Sequence, residues 1–89
     1  MAELISIGTT ATSSADFTLA SGVSTTLHMK TATGVFPSGA AVAIELKAGS
    51  VYTTIGGLTD SEPVRVLAAP GVYRVRRILS TVAFGVERD

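Results

Sequence analysis

Cysteine and tryptophan do not occur in this chain of 89 residues, histidine occurs once and proline three times. Without cysteine there can be no disulfide, thiolate metal site or cysteine nucleophile, and an oxidising compartment is neither implied nor excluded. Charge is scarce too. Only 16% of residues are charged, where about a quarter is usual, and seven basic residues balance seven acidic ones. A neutral chain has no long-range field to draw in nucleic acid or an anionic membrane. Low charge combined with 46% hydrophobic residues argues against disorder, because disordered chains are polar and carry excess charge. No apolar run approaches the roughly 20 residues of a membrane span. The opening "MAELISIG" has neither the basic segment nor the apolar stretch of a signal peptide, which predicts synthesis as a soluble cytosolic chain.

Helical periodicity is nearly missing, and alternation of period two takes its place. In "AAVAIELKA" (40–48), Val42, Ile44 and Leu46 share one face, and Ala43, Glu45 and Lys47 share the other. Gly49-Ser50 then offers a two-residue hairpin turn of the type II′ kind, with "VYTTIGG" returning from Val51. Upstream, "ELISIG" places Glu3, Ile5 and Ile7 on one side. "DFTLA" and "VSTTLHMK" form a second expected pair joined at Ser21-Gly22, with Val23, Thr25, Leu27 and Met29 together. Downstream, "VRVLAA" puts Val64, Val66 and Ala68 on one face, and "TVAFGVERD" puts Val82, Phe84 and Val86 on one face. Between these two, Pro70-Gly71 fits the central positions of a type II turn, as proline presets φ and glycine accepts φ > 0. "VYRVRRILS" leaves that turn with Tyr73, Val75 and Arg77 on one face. The phenol of Tyr73 would sit in the core with its hydroxyl reaching a backbone group.

About seven to eight short antiparallel strands, spaced roughly ten residues apart with turn signals between them, predict an all-β single domain, a small β-sandwich or barrel. It spans residues 1–89, and the small polar run "TTATSSA" lets residues 1–15 form an extended N-terminal segment.

Catalytic residues are few. His28 stands alone and alternates with Ser24 and Thr26 on a polar strand face, so a general base would rest on it alone. There is no nucleophile elbow, phosphate loop or histidine pair at metal spacing. Asp60 and Glu62 flank Ser61 before Pro63 and read as turn chemistry, since a calcium site needs more oxygen ligands. The expectation is a protein without enzymatic activity, cofactor or metal. Concentrated chemistry lies only in "RVRR" (74–77). On a regular strand Arg74 and Arg76 point to one face, about 7 Å apart, and Arg77 to the other. Arg74 and Arg76 are therefore candidate partner-binding residues that can hold carboxylates; pairing with Glu45, Glu62 or Glu87 across the sheet is the internal alternative. Tyr73 is the only aromatic among them and faces the core, so no stacking platform for nucleic acid is formed.

The segments "SIGTTATSSADFTLASGVSTTLHMK", "AAVAIELKAGSVYTTIGGLT" and "VRVLAAPGVYRVRR…AFGVERD" together resemble small structural proteins of tailed bacteriophages, of the head decoration and capsid-stabilising type. The resemblance is one of layout over most of the chain. It implies a virion protein on the outer capsid surface, made in the host cytoplasm, bridging subunits of the major capsid protein and joining copies of itself, often as a trimer. A tail or head–tail joining component is the alternative within that class. A carbohydrate-binding adhesion module is the alternative outside it, weakened by the lack of tryptophan, which leaves Tyr52 and Tyr73 as the only aromatics with a polar handle.

Overall fold

In a computed structural model that describes residues 2–34, 39–78 and 83–89, the chain folds into two antiparallel sheets, with no helix among the described residues. The first sheet contains β1 (Ala2–Gly8), β4 (Thr25–Lys30), β7 (Val64–Leu67) and β9 (Phe84–Arg88) in the order β1-β9-β4-β7. The second contains β2 (Thr12–Ser13), β5 (Ala41–Ala48), β6 (Val51–Thr59) and β8 (Gly71–Arg77) in the order β2-β8-β5-β6. β3 (Phe17–Leu19) also pairs with β8. The inward residues of both sheets form one core, with Leu27, Phe84 and Val86 from the first and Ile44, Leu58 and Val75 from the second. The expected all-β single domain is therefore the fold, as a sandwich.

Local chemistry explains the best-formed parts. The β5–β6 hairpin closes at Gly49-Ser50, where Gly49 has φ 65° and, among the described residues, none other than glycine has positive φ. A type I′ turn needs positive φ at both central positions, so the turn is type II′. Val42 and Ile44 are buried on β5, as are Tyr73, Val75 and Arg77 on β8, in the alternation the sequence sets. Tyr73 stacks on Phe17 with ring centroids 6.0 Å apart, and its hydroxyl donates to the Ala69 carbonyl at 2.7 Å. A buried phenol needs such an acceptor.

Four expectations change. First, β3 and β4 do not pair with each other. Ala20–Val23 closes a β-turn, with Val23 N–H donating to the Ala20 carbonyl and Gly22 at φ 80°. This turn carries the chain from the second sheet to the first, and Val23 is exposed beyond the end of β4. Second, Gly71 is the first residue of β8, opposite Leu19, at φ 157°. That is a positive φ that favours glycine, but it is far from the roughly +80° of a type II turn. Pro70-Gly71 thus ends a connection between sheets and is not the centre of a hairpin turn. Third, the described part of the N-terminal segment is built into the sandwich between Ala2 and Ser14: β1 pairs with β9, β2 with β8, and Ser14 exchanges hydrogen bonds with Val75. Fourth, two register shifts in β1 break its alternation, so Ile5 is buried while Ile7 is exposed. The predicted place of Val82 lies outside the described residues.

Candidate functional surfaces

The outer face of the second sheet carries an interlocked group of charges. Register places Glu45 of β5 opposite Arg74 of β8, and Ala43 opposite Arg76. Arg74 Nε donates to Glu45 Oε1 at 2.7 Å, and Arg76 Nε lies 3.5 Å from Glu45 Oε2. Glu45 is 6% exposed, and its carboxylate is held between the two guanidinium groups. Arg74 also lies over the Tyr52 ring, 3.5 Å from its centroid. The Tyr52 hydroxyl donates to Asp16 at 2.7 Å, and Lys47 reaches the same carboxylate at 3.4 Å. The Tyr52 hydrogen bond holds the Asp16 carboxyl below its ordinary value, helped by Lys47, while the same bond raises the Tyr52 phenol.

Arg74 and Arg76 do share a face, as alternation requires, but their first partner is internal. The sequence offered Glu45 as one of three acids and could not single it out, because the choice depends on which strand lies beside β8. Arg74 is the more enclosed of the two; Arg76 keeps 42% of its side chain exposed.

Arg77 is separated from them, as expected, and is 3% exposed. Its guanidinium donates to the backbone carbonyls of Thr10, Ser6 and Phe84 at 2.7, 2.7 and 2.8 Å. Burial pushes its pKa down from the ordinary arginine value, yet the group stays charged because arginine is not deprotonated in proteins. Three carbonyls from β1, the connection after it and β9 converge on one cation. Arg77 therefore fastens the two sheets together at this end.

The outer face of the first sheet has a second charged row. Lys30 donates to Glu3 and lies 3.7 Å from Glu87, and the Glu3 bond raises the Lys30 pKa. His28 Nε2 is 3.9 Å from Glu87 and has no hydrogen-bond partner among the described residues. Beside His28 and Thr26, Val64 and Val66 of β7 face solvent.

Among the described residues no set of histidine and acidic side chains could hold a metal ion, and no pocket forms. Among the described residues no helix is long and apolar enough to cross a membrane. The surfaces available for binding are the sheet faces and the edge strands, which among the described residues are β1 and β7 in the first sheet and β6 and, beyond β8, the short β2 and β3 in the second. Of these, β6 and β7 each carry two exposed aliphatic side chains, Val51 and Ile55 on β6 and Val64 and Val66 on β7. Sequence alternation did not flag them, because nothing local says which strand ends a sheet. No protein family, curated protein or solved structure matches the chain.

Proposed function

We infer that this chain is a non-enzymatic structural protein of a tailed-phage virion, decorating the outer capsid surface. In that role it binds the lattice of the major capsid protein together with copies of itself and stabilises the shell. The observation that carries the reading is that two edge strands, β6 and β7, are lined with exposed β-branched residues. Such edges recruit other strands or flat apolar surfaces by contact over an area, without a cavity. The layout resemblance supplies the kind of assembly. The near absence of unpaired charge on the faces suits a protein much of whose surface is covered by neighbours.

The test is reconstitution. Purified chain mixed with capsids of its phage assembled without it should bind saturably and raise their resistance to heat and chelator. Failure to bind at any concentration overturns the decoration reading. Binding confined to tails would transfer the role to a tail or joining component. Glycan binding by a chain that ignores all particles would support the adhesion module instead.

A further inference from the structure

The β6 edge is unusual in its chemistry. Exposed edge strands are normally blunted by charge, proline or shortness, yet "VYTTIGGLT" is nine residues long and has neither a charge nor a proline. Its phase is set at both ends. The two-residue hairpin makes Ala48 and Val51 a hydrogen-bonded pair, which turns the N–H and C=O of Tyr52 and Thr54 away from β5. At the far end, Thr59 exchanges both its backbone hydrogen bonds with Glu62, so that part of the outer edge is already covered. Between the two, the register skips Ile55, which is the extra residue of a bulge opposite Ile44 and Glu45. The open stretch is therefore the first half of the strand.

That stretch matches itself. In an antiparallel pair of two copies related by a twofold axis at Thr53, Tyr52 meets Thr54 of the second copy, and both present outward backbone groups. Roughly four hydrogen bonds form between the chains. The same register sets Val51 opposite Ile55 twice, joining the two exposed aliphatics of the strand, 62% and 47% exposed, and stacks Thr53 on its own copy. Such β-branched cross-strand pairs are the stabilising unit of a sheet. No charge is brought against a like charge, because the strand has none. Arg65 of β7 lies over Gly56, where a Cβ would stand 2.6 Å from its guanidinium, and so closes the sandwich beyond the paired stretch.

We propose that the chain pairs with a second copy through β6, antiparallel about Thr53, to form one continuous sheet across two sandwiches. This is a twofold contact, where the resemblance implies a threefold one, and it stands independently of the capsid role. An edge contact of this kind falls at the small end of specific interfaces, so dimerisation depends on concentration in free solution and strengthens when copies are held side by side.

The full chain tests it directly, because it contains no cysteine. Thr53→Cys should yield a disulfide-linked dimer under mild oxidation, since directly opposed, non-hydrogen-bonded residues bring Cα atoms within bonding range. Thr18→Cys, on an exposed position of β3, is the control. Ile55→Lys should lower dimer content in sedimentation about tenfold, and adding Val51→Glu should restore it by placing opposite charges across the register. An unchanged circular dichroism melt for each variant keeps the comparison valid; a variant that melts early is replaced by Thr54→Pro, which removes only an outward N–H. Cross-linking no faster than the control, or a trimer that Ile55→Lys leaves intact, overturns the proposal. Neither result touches capsid binding, which the reconstitution reads separately.

Discussion

Removing both arginines from the outer face of the second sheet should unfold the protein more readily than their exposure suggests. Arg74 makes a charged hydrogen bond of 2.7 Å to Glu45 and covers the Tyr52 ring. A charge-assisted bond contributes about 1.5–3 kcal/mol and a partly desolvated cation–π contact about 0.5–2, so Arg74→Ala should cost about 2–5 kcal/mol. Arg76 is more exposed and its contact is 3.5 Å, close to a surface pair, so Arg76→Ala should cost about 0.5–1 kcal/mol. Together the substitutions leave a buried carboxylate without a counter-charge, and breaking such a pair typically costs about 3–5 kcal/mol. A domain of this size has about 4–13 kcal/mol in all, and each kcal/mol moves its midpoint by about 4–8 °C. Urea and thermal denaturation followed by circular dichroism should therefore show the double variant melting at least 12 °C or so early. The triple variant that adds Glu45→Leu should recover much of the loss, because no unpaired charge remains. A double variant within about 1 kcal/mol of the parent, or a triple variant no better than the double, would refute the claim that Glu45 depends on these two residues.

Arg77→Met leaves the carbonyls of Ser6, Thr10 and Phe84 without their donor and should cost about 2–4 kcal/mol in urea denaturation, partly offset by removal of a buried charge. A cost below about 0.5 kcal/mol would show that water replaces the guanidinium. The carboxyls of Asp16 and Asp89 both sit below their ordinary 3.8, held there by Tyr52 in one case and by the Thr26 amide and Thr25 hydroxyl in the other. Because the folded values are depressed, their contribution is present above about pH 4 and is lost as pH falls through the folded values. Asp16→Asn and Asp89→Asn should each flatten the acid limb of stability against pH, and an unchanged slope would count against both assignments.

Much of the second sheet was legible because its signals are local. Gly49-Ser50 between two alternating runs specifies a hairpin whatever surrounds it, and alternation alone separates Arg77 from Arg74 and Arg76. The burial of Tyr73 follows from the same rule. Pairing between distant segments was not legible. Phe17 and Leu19 lie next to β8 and not next to β4, because the turn at Ser21-Gly22 changes sheets, and a turn of the same composition would also serve a hairpin. The burial of Glu45 has the same origin, since β8 must first lie beside β5 before two guanidinium groups can cover it. Ile7 points outward because bulges in β1 shift the phase, and a bulge is a property of two strands. The free edge of β6 was equally hidden, since an edge is defined by the strand that is not there.

One feature of the topology bears on how the molecule carries load. β1 lies antiparallel beside β9, with Ala2 opposite Arg88, so the two ends of the described chain leave the sandwich side by side from one pole. Tension applied between them would peel that ladder bond by bond, like a zipper, and would not shear many hydrogen bonds at once. Force entering through the long β5–β6 hairpin or the β8 ladder would meet several strands in parallel. A sequence fused to either end would emerge at that pole, away from the middle of the β6 edge, and joining the ends by a short linker would open the way to new termini in an exposed turn.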